Sequence, residues 1–160
     1  MPLRSLARVL GHRRWFARLG PVLVPADRLV GRLTRGRLVA LGLIPSLLLT
    51  TTGRRSGRPR TTPLLGVPDG PAVIVVGSNW GAPRHPDWAL NLLADPAATL
   101  TRGGVSRPVR ARPLTGPERD RAWRLALREW PAYRTYAARA GRRLPVFRLE
   151  PATGPGEAGR

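Results

Sequence analysis

The chain has no cysteine and no lysine, only nine acidic residues and two histidines, and no long apolar run. Without cysteine there is no disulfide, no thiolate nucleophile and no zinc–sulfur site. So few histidines and carboxylates leave little from which to build any other metal centre, and none is expected. The apolar segments lack the interleaved aromatics of a base-stacking surface, which argues against a nucleic-acid module. The most apolar stretch, Leu38–Thr51, is broken by Pro45 and falls short of the roughly 20 residues a spanning helix needs. In residues 1–20, Arg4, Arg8, Arg13, Arg14 and Arg18 interrupt every apolar run, so the segment does not read as a signal peptide. The lack of cysteine is compatible with a reducing cytoplasm.

What is present is a chain of 160 residues, 42% hydrophobic, enough for one domain with a real core. Its net charge of +19 is carried by arginine alone. Such a field favours anionic small molecules, anionic membrane or nucleic acid as partners. Residues 1–25 form a basic segment in which Leu3, Leu6, Val9 and Leu10 recur at helical spacing. Such a helix either lies on an anionic membrane or packs on its own domain with its arginines in water. A second helix is expected over about 26–41.

The organising stretch is Leu47–Gly81. It holds three apolar runs of strand length, Leu47–Thr52, Thr61–Val67 and Ala72–Gly77, each bounded by Gly, Pro or charge. Asp69-Gly70 predicts a turn that pairs the second run with the third. Between the first two runs, residues 53–60 read GRRSGRPR. Two glycines free the backbone and four guanidinium groups offer forked donors, a combination suited to phosphate or carboxylate. A solvated basic hairpin is the plainer alternative. It is not a Walker loop, since no Lys-Ser/Thr follows Gly57.

Pro86 and Asp95-Pro96 bracket a short helix, Asp87–Ala94. Ala98–Arg102 and Val105–Pro113 read as strands joined at Gly103-Gly104. Thr115-Gly116-Pro117-Glu118 reads as a capping box opening a helix to about Trp130, with Ala122, Trp123, Ala126, Leu127 and Trp130 as its buried stripe. Ala132–Ala140 is a further helix and Val146–Glu150 a last strand. Residues 151–160 show no apolar pattern and read as a disordered tail. The sum is about six short, mainly antiparallel strands with flanking helices, a mainly-β or α+β domain over residues 26–150. A small barrel and an α+β sandwich both satisfy these periods.

Ser78, at the end of the third strand, has no triad-like partner and no nucleophile elbow around it. A hydrogen bond to a ligand suits it better than covalent catalysis. Tyr133 and Tyr136 either pack in the core or offer a phenol to a substrate carbonyl. His85, beside Pro86, is a lone histidine of the kind that is more often structural or exposed than catalytic.

Taken together, TTTGRRSGRPRTTPL, VIVVGSNWGAPRHPDWALNLLADP and WPAYRTY resemble the deazaflavin-dependent nitroreductase family, split-barrel oxidoreductases that use coenzyme F-420. The resemblance runs from about residue 28 to 150. It implies a split β-barrel, and hydride transfer from a reduced 8-hydroxy-5-deazaflavin to an electron-poor quinone, enone or nitro compound. The cofactor's phosphate and glutamate tail would be held by Arg54, Arg55, Ser56 and Arg60. Thr61, Thr62, Pro63, Leu64 and Leu65 would run beside it. Val76, Gly77, Ser78 and Asn79 would contact the ring or its linker, and Asp87, Trp88, Ala89, Leu90 and Asn91 would add a helix start. Ser78, Tyr133 and Tyr136 would be the catalytic set on the acceptor side. Trp80 and Trp130 depart from the residues some relatives carry and would reshape the pocket mouth. FMN is the alternative cofactor, and the arginines favour the longer anionic tail. With a lipid-soluble acceptor, a cytoplasmic enzyme could work at the inner face of the membrane.

Overall fold

A computed structural model describes residues 46–152. The basic segment, the helix expected over 26–41 and the tail beyond 152 lie outside the described residues. The strands are β1 (Ser46–Thr52), β2 (Pro59–Leu65), β3 (Val67–Asp69), β4 (Ala72–Val76), β5 (Ala97–Arg102), β6 (Val105–Pro113) and β7 (Val146–Pro151). The helices are α1 (Asp87–Ala94), α2 (Gly116–Glu129) and α3 (Ala132–Ala140), with a single 3-10 turn at Asn79–Gly81. Every strand pair is antiparallel, in one seven-stranded sheet of order β2-β1-β5-β6-β7-β4-β3.

That order forces a barrel. β2 and β3 stand at opposite edges of the sheet, yet only Gly66 separates them along the chain. Laid flat, seven strands would put the edges roughly 29 Å apart, while one residue spans about 3.5 Å. The sheet must therefore curl until its edges meet, which is the split barrel. Two sequence expectations are corrected here. The described residues hold seven strands where about six were expected, and Thr61–Val67 is not one strand paired with Ala72–Gly77. It breaks at Gly66: β2 pairs with β1, and only β3 pairs with β4. The crossing admits no side chain, because a Cβ on Gly66 would stand 2.5 Å from Leu47 Cδ2 and 2.9 Å from Val73 Cγ1.

β4 shows how the curl makes two cores. Its sequence AVIVV is buried throughout, and alternation sends neighbours to opposite faces. Val73 and Val75 join Leu47, Leu49, Leu100, Val109, Phe147 and Leu149 inside the curl, where α1 adds Trp88, Ala89 and Leu92. Ile74 and Val76 join Val67, Leu114 and Val146 outside it, beneath α2 and α3. Each fully buried valine or isoleucine contributes about 1.5–3 kcal/mol.

The helix ends follow their sequence signals, with one exception. Pro86 and Asp95 flank α1, and the Asp95 carboxylate accepts from the Ala97 amide at 3.0 Å. At α2, Thr115 is the N-cap residue, but no side-chain cap forms. Glu118 instead takes two 2.7 Å bonds from Arg112, a charge-assisted fork that outcompetes a backbone amide. Arg112 also holds Glu150. Buried Asp69 pairs with Arg121 at 2.9 Å and Arg148 at 3.3 Å. This network straps α2 to β3, β6 and β7 and occupies acids that could otherwise neutralise arginines elsewhere. Among the described residues, no helix is long and apolar enough to cross a membrane.

Candidate functional site

The arginine turn joins β1 to β2. Its backbone folds on itself: the Gly53 amide donates to Arg58 O at 2.9 Å, and the Ser56 and Gly57 amides donate to Gly53 O at 3.1 and 2.7 Å. Gly57 sits at φ +65°, where a side chain would be strained. Ser56 Oγ accepts from the Arg58 amide at 3.3 Å and from Arg60 Nη2 at 3.4 Å. The turn is then docked on α1 through Asn91, which is buried. Asn91 Oδ1 accepts from the Arg54 amide at 3.1 Å and its Nη1 at 3.3 Å, while Nδ2 donates to Thr51 Oγ1 at 3.1 Å. Asp87 Oδ1 takes a further 2.9 Å bond from Arg54. Arg55, Arg58 and Arg60 are exposed and have no carboxylate partner among the described residues. The donor set therefore fits a phosphate or carboxylate held at the rim.

The sequence-predicted neighbours divide by face. On β2, Arg60, Thr62 and Leu64 stand opposite Thr51, Leu49 and Leu47, which point into the curl. Thr61, Pro63 and Leu65 lie on the other face, and the Thr61 and Thr50 hydroxyls are 2.9 Å apart. On α1, Asp87 is exposed and Leu90 half-buried. Trp88 and Ala89 point inward, Trp88 against Phe147 at 5.8 Å between ring centres.

The second part is the loop from Gly77 to Pro86. Gly77 is wedged: its amide donates to Pro145 O at 2.8 Å, and a Cβ there would meet Pro145 Cγ at 2.6 Å and Ala89 Cβ at 3.5 Å. Val76 is buried in the outer core. Ser78 is half-buried, its carbonyl accepts from the Gly81 amide at 2.9 Å, and its hydroxyl makes no cap bond. Asn79 and Trp80 both have positive φ, 46° and 55°. For a bulky residue such a backbone costs about 1–3 kcal/mol and persists only where the surroundings over-determine it.

Those surroundings are visible. Asn79 Nδ2 donates to Arg84 O at 3.0 Å. Gly81, at φ +81°, lies so close to α3 that a Cβ would be 3.1 Å from Tyr136 Cα and O. Above all, Arg142, between α3 and β7, collects the loop's carbonyls. Its Nε donates to Ala82 O at 3.3 Å, Nη1 to Gly77 O at 3.4 Å, and Nη2 to Ser78 O at 3.4 Å and Arg84 O at 3.0 Å. His85 Nδ1 accepts from Nη1 at 3.0 Å, since the guanidinium can only donate. Burial first, then the Arg142 charge, holds His85 below its ordinary value, and burial lowers Arg142.

The tyrosines lie beneath this loop. Tyr136 packs edge-on to Trp80 at 6.1 Å, and Tyr133 follows at 6.3 Å from Tyr136, beside Trp123 at 6.2 Å. Both are buried, and burial raises both phenols, the rise at Tyr136 being only partly countered by a hydrogen bond from Trp130 and the charge of Arg139. The fold thus brings the turn, the start of α1 and the Ser78 loop together, since α1 touches Arg54 through Asp87 and Asn91 and touches Gly77 through Ala89. Tyr136 lies directly under that region and Tyr133 one ring deeper. The residue that sequence reasoning missed is Arg142. It is one arginine among many, and nothing in Gly141-Arg142-Arg143 marks it. Among the described residues, no cluster of His, Asp and Glu could hold a metal ion.

Comparison with known proteins points the same way. Residues 28–151 match the model of the family described as F420H(2)-dependent quinone reductase. A F420H(2)-dependent quinone reductase of Mycobacterium tuberculosis is 37% identical over 143 residues, covering 85% of this chain and 95% of the relative. A solved F420-H2 dependent reductase superposes with a TM-score of 0.62 at 38% identity, covering 66% of this chain and 94% of that one. A second solved structure, described as a domain-swapped dimer, gives a TM-score of 0.64 at 34% identity, covering 79% and 99%.

Proposed function

Because the chain belongs to the F420H(2)-dependent quinone reductase family, we propose that its arginine turn and Ser78 loop divide one cofactor between them. The turn takes the anionic phosphate and tail of coenzyme F-420, and the loop takes the ring. The family's reaction is hydride transfer from the reduced deazaflavin to a quinone. When bound, the coenzyme supplies the hydride.

The chain's own residues bind and orient. Arg54, preset by Asp87 and Asn91, offers a fixed donor, while Arg55 and Arg60 close on the anion from the exposed side. Ser56 Oγ, already shared between Arg58 and Arg60, keeps the turn in shape. Leu64 and Thr62 continue the wall along β2. Ser78 has a hydroxyl that its own turn leaves unused, which suits it to hold the acceptor oxygen or the ring edge. Tyr136, nearer the loop than Tyr133, is the better placed phenol to donate a proton to the acceptor oxygen. A phenol is protonated at neutral pH, as a donor must be.

The observation that carries this reading is the docking of the four-arginine turn, through Asn91, on the helix that follows the Ser78 loop. The test is to mix purified protein with the reduced coenzyme and follow its oxidation against a panel of quinones, enones and nitroaromatics. Saturable coenzyme binding with quinone-dependent turnover supports the reading; no saturable binding ends it. Membrane contact is proposed separately, from the arginines of residues 1–20 and a lipid-soluble acceptor. Equal sedimentation with anionic liposomes by the full chain and by a chain lacking residues 1–20 would remove it.

A further inference from the structure

We infer that Arg142 is the positioning residue of the Ser78 loop, holding a strained ring-side backbone ready before any ligand arrives. This rests on the proposed role of that loop in receiving the ring. Arg142 reaches four carbonyls, of Gly77, Ser78, Ala82 and Arg84, and the His85 ring. No carboxylate competes for it among the described residues. Its five donors are thus spent on one loop, in a planar fork that lysine cannot reproduce.

The arrangement is selective. Arg119, from α2, also bonds a carbonyl of the connection between α3 and β7, that of Leu144 at 2.9 Å, yet it has no bond to the loop. Arg139 adds only a marginal 3.5 Å contact to Trp80 O. The left-handed pair Asn79-Trp80 is flanked by the carbonyls that Arg142 fixes, Ser78 on one side and Ala82 on the other. A residue that aligns a ligand-contacting segment sets how well bound reactants meet, and small misplacements there are costly in rate. The anion-binding half of the site does not depend on Arg142, because the arginine turn is held by Asn91 and Asp87 instead.

The expected consequences are specific. Arg142→Ala should speed amide hydrogen exchange in residues 77–86 of the ligand-free protein at least tenfold and leave residues 53–60 unchanged. Coenzyme affinity, followed by fluorescence titration, should fall about tenfold, which corresponds to about 1.4 kcal/mol. At saturating coenzyme, kcat should fall at least tenfold with acceptor KM altered less than threefold. Arg142→Lys, which keeps the charge but not the fork, should fall between wild type and Arg142→Ala, and it carries the test should the alanine variant not fold. Arg119→Ala should leave exchange in 77–86 as in wild type. If Arg142→Ala and Arg142→Lys match wild type in loop exchange, or in both coenzyme affinity and kcat, or if Arg119→Ala loosens the loop equally, the inference is overturned. Wild-type protein that fails to bind the coenzyme would instead overturn the proposed function and the ring-side role with it, leaving loop exchange to decide what Arg142 does for the backbone.

Discussion

The turn at 53–60 and the loop at 77–86 use arginine in opposite directions. In the turn, the backbone is closed by its own amides and by Asn91, and Arg55, Arg58 and Arg60 are exposed with no carboxylate partner among the described residues. In the loop, the backbone is gathered from behind by Arg142, whose donors all end on protein acceptors. The first arrangement leaves charge available to a ligand. The second consumes charge to shape a backbone. Both sit at the two ends of one connection, since α1 begins where the loop stops and grips the turn along its side. Arginine density therefore marks the half of the site proposed to hold the anion and says nothing of the half where the backbone matters.

Substitutions can sharpen that contrast. The largest effect is expected at Arg54. Arg54→Ala removes a charged donor preset by Asp87 and Asn91, and hydrogen bonds to charged groups are worth about 1.5–3 kcal/mol. Coenzyme affinity should drop about 10–100-fold, with a shallower dependence on salt than wild type and an unchanged unfolding midpoint. An unaltered affinity in fluorescence titration would mean the turn is only a solvated hairpin. Asn91→Leu should follow. It leaves the Arg54 amide without its acceptor and takes from the Thr51 hydroxyl its Asn91 donor, leaving only a 3.5 Å bond to Arg60 O, at about 1–3 kcal/mol of stability, read from urea unfolding. If stability fell while coenzyme affinity held, docking on α1 would be structural alone. Gly81→Ala should cost about 1–2 kcal/mol, the price of left-handed backbone for an L-residue, with a close contact to Tyr136 besides. A melting temperature equal to wild type would show that the loop is less constrained than Arg142 and Tyr136 make it.

Much of this was legible in the sequence, for reasons that differ by residue. Turn chemistry at Asp69-Gly70 and Gly103-Gly104, apolar runs of strand length and the Pro86 and Asp95 boundaries are local signals, and the corresponding elements stand where those signals put them. The resemblance added the split barrel that periodicity alone left open beside a sandwich. The miss at Gly66 has a non-local cause. A run of apolar residues looks like one strand, and only the packing of Leu47 and Val73 against the crossing reveals a break there. Glu118 was misread for the same reason, since its partner Arg112 belongs to another element. Trp88 and Ala89 fall within a motif that suggests ligand contact, yet the helix turns their side chains into the barrel. Arg142 was invisible because its partners are backbone carbonyls up to 65 residues away, and carbonyls carry no sequence.

The smallest expected effect tests whether His85 belongs to the Arg142 hub. Neutral His85 accepts a hydrogen bond from Arg142, and a protonated ring would place a second positive charge in its place. Its folded value lies below the ordinary 6.5, through burial first and the Arg142 charge second. The unfolded chain therefore binds more protons than the folded one between those two values, so stability rises with pH across that window. The contribution of His85 is complete above about pH 6.5 and is lost as pH falls through the folded value. The ring is largely exposed, so the change should be slight. His85→Gln cannot titrate, and the difference in urea midpoint between wild type and His85→Gln should stay constant above about pH 6.5 and move against wild type below it. Parallel curves across that range would mean that the histidine does not sense the guanidinium, and that the backbone carbonyls alone define the hub.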